Sequence, residues 1–246
     1  YIYANLLGNE AGRAIYDGGT LIASSGNLLA VGERLTFHNY LVTTGVIDIA
    51  EARLAQSQAS TVFNVPTLRQ SCIEIHFHFP KIKPEAAKPR DRDWEKSDTL
   101  QEEEFTRALA LGLFDYMRKS FSNGFVISLS GGADSSACAC CCYLMIRLGI
   151  ESLGLETFKK KLGYIKAIQN GQTAEEISQH LITTAYQPTE NSGEITRNAA
   201  EQLAKAINTS HLEFNVNKIF QGYIDIIQEG LGRELTWATD DIALQN

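Results

Sequence analysis

The spacing of apolar residues changes near residue 100 and divides the chain into two parts. Before that point the apolar runs are short or alternate with polar residues, a pattern that predicts β-structure. Residues 20–23 and 28–31 are apolar runs separated by the turn-forming residues 24–27. They predict a β-hairpin.

Two further strands and one helix are predicted in the first part. Residues 42–49 predict a further strand, and Asp48 is placed to cap a short helix that reaches about Gln58. Residues 73–79 alternate and predict a half-exposed strand with Glu74, His76 and His78 on one face. A metal site and a solvated polar face both remain open for these three residues, because alternation places polar residues together in either case.

From residue 99 the apolar period becomes about 3.6. Residues 99–102 resemble a capping box and predict a helix whose apolar stripe is Phe105, Leu109, Leu113 and Met117. Strands are then predicted at 125–129, 181–186 and 211–216, and helices at 135–148, 195–207 and 218–228. Alternation of this kind predicts an α/β fold with a doubly wound parallel sheet.

A charged stretch rich in proline lies between the two parts. Pro80, Pro84 and Pro89 are three of the five prolines, and ten of the sixteen residues 81–96 are charged. This composition is typical of a linker. The predicted domains are therefore 1–80 and 98–246, with a linker at 81–97.

Charge and composition restrict the partners of the chain. Its 246 residues include 22 basic and 29 acidic side chains, so the net charge is −7. No overall positive field is available to hold nucleic acid or an anionic membrane, and an anionic ligand must be held locally. No run approaches the roughly 18 consecutive apolar residues of a membrane span. We expect a soluble cytoplasmic protein without nucleic-acid or membrane partners.

Four of the five cysteines fall within five positions, at Cys138, Cys140, Cys141 and Cys142. Neighbours this close on a helix cannot form disulfides with one another, which favours a reducing compartment. Because the run continues a helix of small apolar residues, packing inside that helix is the favoured interpretation. Ligation of a metal or an iron–sulfur cluster is the alternative.

The most informative segment is 130–136, which lies where a buried strand turns into a helix. The first backbone N–H groups of a helix lack intrahelical partners, and with the helix dipole they favour an anion. Glycines let phosphate oxygens approach the backbone, and serines add hydroxyl donors. The predicted phosphate-binding residues are Ser130, Gly131, Gly132, Ala133, Asp134, Ser135 and Ser136.

Asp134 places a carboxylate beside the predicted phosphate, which favours a divalent cation between the two. We therefore predict Asp134 to be a Mg²⁺ ligand. The loop is not a Walker A motif, because no Gly-Lys-Ser/Thr follows it, and γ-phosphoryl transfer is disfavoured. The alternative is a tight strand-to-helix connection with Asp134 or Ser135 as the helix N-cap.

Residues 130–136 resemble the Ser-Gly-Gly-x-Asp-Ser pyrophosphate loop of the N-type ATP pyrophosphatases, which cleave ATP between its α and β phosphates. Within that superfamily, residues 183–200 resemble the second strand and loop of NAD synthetases. The first part of the chain resembles the C-terminal end of the nitrilase-type glutaminase domain of glutamine-dependent NAD synthetases. The residues that carry this last resemblance are Tyr3, Ala4, Asn5, Tyr16, Asp17, Gly18, Gly19, Thr20, Leu29, Ala30, Arg34 and Phe37.

The resemblance implies the end of a nitrilase-like domain followed by a Rossmann-type, adenine nucleotide α-hydrolase-like domain. It also implies a ligase of NAD biosynthesis that forms an acyl adenylate from deamido-NAD and ATP, with Mg²⁺ as the metal. Ammonia, free or released from glutamine, then displaces AMP to give NAD⁺. We expect a homo-oligomer.

Site residues follow from the same resemblance. Ser130 and Asp134 are implied to be catalytic, and residues 130–136 to bind ATP and pyrophosphate. Ser192 and Thr196 are weaker candidates near the nucleotide. For these two residues, capping of a helix N-terminus is an equally good interpretation.

The resemblance also implies that the chain is an excerpt of a longer protein. The glutaminase triad of Glu, Lys and Cys has no place in the first part, because the first Lys is Lys81 and the first Cys is Cys72. We expect the triad upstream of Tyr1. Gln245 and Asn246 resemble the opening of a further helix, after which more substrate-binding residues would follow. The chain alone is expected to be inactive.

Two other functions remain open from the sequence. A GMP or asparagine synthetase would share the loop, but residues 16–19 favour the nitrilase-type partner domain. A non-catalytic regulatory module, from a different class of protein, would bind ATP without forming AMP.

Overall fold

Contacts between residues divide the chain into two compact units, Tyr1–Glu104 and Phe105–Asn246. The first unit contains antiparallel strands, and the second contains parallel strands with helices. The computed structural model describes residues 1–10, 13–58, 75, 76, 78 and 93–240.

Five short strands form two sheets in the first unit. β4 pairs with β1 and β5, β2 pairs with β3, and all these pairings are antiparallel. The hairpin predicted from the sequence is confirmed, and its turn residues Ser25 and Gly26 have φ angles of 51° and 83°. The strands are β1 (Ile2–Ala4), β2 (Leu7–Glu10), β3 (Ala14–Asp17), β4 (Thr20–Ser24) and β5 (Asn27–Val31).

The predicted helix after Asp48 is confirmed as α1 (Ile49–Gln58). Its cap is the Asp48 carboxylate, which accepts hydrogen bonds from the backbone N–H groups of Ala50 at 2.8 Å and Glu51 at 3.4 Å. These bonds satisfy donors that the first turn of a helix otherwise leaves unpaired.

The strand predicted at 42–49 is wrong, because residues 42–48 have no strand structure. The Thr43 hydroxyl instead hydrogen-bonds the Thr20 hydroxyl of β4 at 2.6 Å. A Cβ placed on Gly45 would lie 3.3 Å from Ile22 Cδ1, so this segment passes over the sheet at Ile22. Thr20 and Ile22 are two residues apart and share one face of β4, so the segment covers that face instead of extending an edge.

Several side chains of the first unit surround the guanidinium group of Arg34. Its guanidinium forms ion pairs with Glu95 at 3.0 Å and Glu104 at 3.1 Å, and it lies 3.6 Å from Asp17. The guanidinium also lies 5.3 Å from the centroid of the Trp94 ring. Hydrogen bonding to Glu104 raises the pKa of Arg34 most strongly. Burial alone would raise the pKa of Asp17, but hydrogen bonds from Gly19 and Asn5 and the charge of Arg34 lower it.

Most of the segment from 59 to 92 lies outside the described residues. Of the strand predicted at 73–79, Ile75, His76 and His78 are described, and none of them is in a strand. Glu74 lies outside the description, as does most of the predicted linker at 81–97, where Asp93–Lys96 is a short 3-10 helix. Within the described ranges, no three His, Cys, Asp or Glu side chains are grouped to hold a metal.

The predicted parallel sheet is confirmed in the second unit, with strand order β6-β7-β8. Phe125 is paired with Ile182, and Ala185 is paired with Leu212. The strands are β6 (Phe125–Ser128), β7 (Ile182–Tyr186) and β8 (Ser210–Glu213). All three end at the same edge, because parallel strands run in one direction.

Helices connect and cover these strands. They are α2 (Leu100–Ser120), α3 (Ala133–Leu153), α4 (Leu155–Lys161), α5 (Ala174–Leu181), α6 (Glu194–Ala206) and α7 (Asn217–Leu231). The stripe predicted for α2 is partly wrong: Phe105 is 66% exposed, and the buried face contains Leu111, Phe114 and Met117. Phe114 packs on Phe158 of α4, with ring centroids 5.5 Å apart, and this contact sets the buried face.

No element was predicted between 149 and 180, where α3 continues and α4 and α5 follow. The start of α5 has a variant of the capping box, in which the glutamate bonds the residue before the N-cap Thr173. Thr173 accepts a hydrogen bond from the backbone N–H of Glu176 at 3.2 Å, and the Glu176 carboxylate accepts one from the N–H of Gln172 at 2.8 Å.

A small core joins the ends of β6 and β7 to α3 and α6. Its buried residues are Leu129, Ala139, Tyr186, Ala200, Ala204 and Ile207. Alanines at the helix positions let both helices approach the sheet closely. This core lies directly beneath the loop that follows β6.

α3 is long and apolar enough to cross a membrane by length and composition, with a mean hydropathy of 1.4. Such a helix is weak evidence for a membrane span, because core helices pass the same test. Here Ala139, Cys142, Met145 and Ile146 of α3 are buried in the second unit. This burial matches the packing of a core helix against a sheet.

The four clustered cysteines differ in exposure. Cys142 is buried, Cys140 and Cys141 are half-buried, and Cys138 is exposed. The packing interpretation therefore fits Cys142 best and does not describe Cys138. Burial raises the pKa of Cys142 to about 12 and also raises the pKa of Cys141.

We expect iodoacetamide at pH 8 to alkylate Cys138 well before Cys142 in the folded protein. The thiolate is the reactive form, and a raised pKa keeps Cys142 protonated at this pH. Both cysteines lie in the tryptic peptide of residues 120–147, so fragmentation of this peptide by tandem mass spectrometry after short labelling times assigns the label to each site. Unfolding in urea should equalise the two rates, and equal rates in the folded protein would contradict the burial of Cys142.

Candidate functional site

The predicted phosphate loop lies between β6 and α3 at the carboxyl edge of the parallel sheet. Leu129 is fully buried, and its backbone N–H donates to the carbonyl of Ala185 at 2.8 Å, which extends the pairing of β6 with β7. The chain then turns at Ser130, Gly131 and Gly132 and enters the helix at Ala133. Ligands of open α/β sheets bind outside this edge.

Gly132 is the N-cap of α3, with φ −85° and ψ 168°, and no side chain caps the helix. The alternative in which Asp134 or Ser135 is the N-cap is therefore wrong. The backbone N–H groups of the first turn can therefore donate to a ligand at the loop, where the positive end of the helix dipole also lies. This arrangement suits an anionic ligand.

Three serine hydroxyls surround this turn. Ser130 Oγ and Ser135 Oγ are 3.0 Å apart, and the backbone N–H of Gly132 donates to Ser130 Oγ at 3.3 Å. Ser136 Oγ donates to the carbonyl of Gly132 at 2.7 Å. The bonds of Ser130 and Ser135 are long, so a bound phosphate oxygen can replace them at small cost.

The two glycines of the loop have different roles. Gly131 has φ +79°, and a Cβ there would collide with the backbone carbonyl of Thr196 in α6. A Cβ on Gly132 would meet only Ser130 Oγ, at 3.3 Å. A side chain at Gly132 would therefore crowd the Ser130 hydroxyl, whereas Gly131 permits the loop to touch α6.

Asp134 lies in the first turn of α3 and is exposed. Among the described residues, its carboxylate has no hydrogen-bond or ion-pair partner. Mg²⁺ is commonly held by one or two protein carboxylates together with substrate phosphates and water. A single unpaired carboxylate next to a phosphate loop fits that set of ligands.

A second loop follows β7 at the same edge of the sheet and leads into α6. The N-cap of α6 is Gly193, again without a side-chain cap. Ser192 does not cap the helix, because its hydroxyl accepts a hydrogen bond from the N–H of Thr189 at 3.0 Å within the loop. Thr196 Oγ1 donates to the carbonyl of Gly193 at 2.9 Å and lies 3.1 Å from the Tyr186 hydroxyl. Helix N-capping is therefore wrong for both predicted residues.

The structure places Thr196 beside the predicted phosphate loop but does not place Ser192 there. Thr196 contacts the phosphate loop at Gly131, whereas the hydrogen bonds of Ser192 remain in the second loop.

Two residues of this edge, Tyr186 and Gln187, were not predicted as site residues from the sequence. Gln187 Oε1 accepts a hydrogen bond from Ser128 Oγ at 2.8 Å and joins the ends of β6 and β7. Their position at the end of a predicted strand was the available signal.

A protein-family model described as NAD synthase matches residues 105–239, which include both loops and all three parallel strands. The chain belongs to the NAD synthase family. The family resemblance predicted from the sequence is confirmed, and the α/β fold with a parallel sheet agrees with it.

Known proteins align with the whole chain but extend well beyond it. A glutamine-dependent NAD(+) synthetase from Oryza sativa subsp. indica is 28% identical over 265 residues, covering 100% of this chain and 35% of that protein. The crystal structure of a glutamine-dependent NAD(+) synthetase from Cytophaga hutchinsonii is 38% identical with a TM-score of 0.72, covering 100% of this chain and 35% of that one. The chain spans about a third of the length of the relatives that it matches.

A second solved structure supports the fold alone. The glutamine-dependent NAD+ synthetase from Acinetobacter baumannii is 14% identical with a TM-score of 0.55, covering 99% of this chain and 33% of that one.

The contrast between the two loop glycines predicts different effects of alanine. Gly131→Ala should lower the free energy of unfolding by about 1 to 3 kcal/mol, because of its positive φ and the collision with Thr196. Gly132→Ala should lower it by only about 0.5 kcal/mol, because φ is negative, the one close contact is with the rotatable Ser130 hydroxyl, and alanine is a slightly poorer N-cap than glycine. Urea unfolding of the full-length protein measures both, and equal losses would contradict the contact with α6.

Proposed function

We propose that the parent protein makes NAD⁺ from deamido-NAD and ATP through an acyl adenylate, with ammonia released from glutamine. The observation that carries this proposal is the Ser-Gly-Gly loop on the uncapped N-terminus of α3 in an NAD synthase domain. The relatives named glutamine-dependent NAD(+) synthetase support the same reaction.

Residues 130–136 are proposed to bind the triphosphate of ATP. Attack of the nicotinate carboxylate on the α phosphorus breaks the bond to the β phosphate, and negative charge develops on the leaving pyrophosphate. The N–H groups at the start of α3 stabilise that charge because they already point at the loop. Ser130 and Ser135 exchange their mutual hydrogen bond for bonds to phosphate oxygens.

Asp134 is proposed to hold Mg²⁺ together with phosphate oxygens and water. When bound, the metal supplies screening between two polyanionic reactants. The exposed carboxylate of Asp134 fits this role, since none of the described residues neutralises it. Thr196 is proposed to lie near the nucleotide on the far side of the loop, and Ser192 is a more distant candidate.

Residues 1–80 are proposed to be the C-terminal end of a nitrilase-like glutaminase domain, followed by the linker at 81–97 and the ligase domain from 98. Several of the residues that carry the resemblance to that domain are joined by hydrogen bonds. The Asp17 carboxylate accepts hydrogen bonds from Asn5 Nδ2 at 2.7 Å and the N–H of Gly19 at 2.9 Å, and it also faces Arg34. In this proposal the residues that hydrolyse glutamine lie upstream of Tyr1.

The full-length protein should convert deamido-NAD, ATP and glutamine into NAD⁺, AMP and pyrophosphate. Free ammonia should replace glutamine, because the ligase domain consumes ammonia in either case. Chromatography of the nucleotides and a pyrophosphate assay give the products. Formation of ADP and phosphate would refute adenylation, and binding of ATP without AMP formation would favour a regulatory module.

Asp134→Asn should lower the ligase turnover at least about 100-fold while leaving the unfolding midpoint nearly unchanged. The substitution removes a proposed metal ligand but no core packing, because Asp134 is exposed. Glu151→Gln, at the exposed far end of the same helix, is the matched control and should retain the wild-type rate. A wild-type rate for Asp134→Asn at saturating Mg²⁺ would exclude the assigned role.

A further inference from the structure

Tyr186 is the last residue of β7 and carries a buried hydroxyl group. The residue is 4% exposed and belongs to the core cluster beneath the phosphate loop. A buried tyrosine hydroxyl needs a hydrogen-bond partner, and this one has Thr196 Oγ1 at 3.1 Å. The ring is therefore fixed in the core, and its polar end reaches the first turn of α6.

The direction of this hydrogen bond follows from the other contact of Thr196. A threonine hydroxyl has a single proton, and Thr196 Oγ1 donates it to the carbonyl of Gly193 at 2.9 Å. The Tyr186 hydroxyl must then be the donor to Thr196. The two bonds form a short chain from the end of β7 to the N-cap of α6.

The same residue of α6 also bounds the phosphate loop. The backbone carbonyl of Thr196 occupies the place where a Cβ on Gly131 would lie. The loop and the first turn of α6 are therefore in close contact through main-chain atoms, without an intervening side chain. A shift of this turn by a few tenths of an ångström would move Gly131 or leave it unsupported.

We infer that Tyr186 is a positioning residue for the phosphate loop and acts through Thr196 on Gly131. The inference rests on the proposed function of residues 130–136 as the site of the ATP phosphates. Tyr186 need not touch the nucleotide. Its hydroxyl holds the first turn of α6 at the distance from the sheet that keeps the loop in its binding geometry.

The variant that tests this inference is Tyr186→Phe, which removes one oxygen and keeps the ring in the core. In the full-length protein with ammonia as the nitrogen source, the KM for ATP should rise about threefold to tenfold, as expected for one lost hydrogen bond. The inhibition constant of inorganic pyrophosphate should rise by the same factor. The KM for deamido-NAD should stay within about twofold, a selectivity that general destabilisation would not produce.

The matched control is Tyr143→Phe. Tyr143 packs against the same core cluster, and its hydroxyl donates to Glu175 Oε1 at 2.7 Å, farther along α3 from the loop. This variant also loses one tyrosine hydrogen bond, here to a carboxylate, but should leave the KM for ATP unchanged. Thr196→Val should raise the KM for ATP by the same factor as Tyr186→Phe. The double variant should have no higher KM for ATP than either single variant, because the same chain of hydrogen bonds is broken in each case.

An unchanged KM for ATP and an unchanged pyrophosphate inhibition constant in Tyr186→Phe would overturn the inference, even with a lowered unfolding midpoint. Multiplicative losses in the double variant would overturn the path through Thr196. Direct titration with inorganic pyrophosphate separates the inference from the proposed function. If the wild-type protein forms no AMP but binds pyrophosphate more tightly than Tyr186→Phe, the proposed function fails and the positioning role stands.

Discussion

The parallel pairing of β6 with β7 is the constraint on which the candidate site depends. Parallel strands that are hydrogen-bonded neighbours end at the same edge, so the loops that follow them must meet there. The phosphate loop and the first turn of α6 come into contact for this reason, although more than fifty residues separate them in the sequence. Leu129 continues the pairing beyond the end of β6 and holds the loop directly against the sheet.

Close packing of α3 and α6 on the paired strands fixes the positions of the two helix termini. Ala139 and Ala200 present small faces to the core cluster, so α3 and α6 lie near the strands and near each other at the loop. Gly131 then makes contact between main chains possible. A larger residue at any of these positions would push the packed elements apart.

Much of this arrangement could be predicted from the sequence. The apolar run before Ser130 and the change of period after it predicted the strand, the loop and the helix, because burial and helical packing both leave a periodic pattern. The segment 42–49 was predicted wrongly, because a strand-like sequence does not reveal whether the segment will extend an edge of the sheet or cover a face. Tyr186 was missed for a similar reason. Its role depends on a hydrogen bond to Thr196 across a loop, and no periodic pattern records such a contact.

Both helices at the candidate site begin at a glycine and lack a side-chain cap. A glycine in place of serine or aspartate at this position costs a helix only a few tenths of a kcal/mol, so the empty fold tolerates the loss. In the proposed function, the phosphate bound at the start of α3 completes that helix terminus in place of a cap. Ligand binding and the stability of the domain are then thermodynamically linked: the substrate acts as a structural element of the fold, and the protein is most stable when it is occupied.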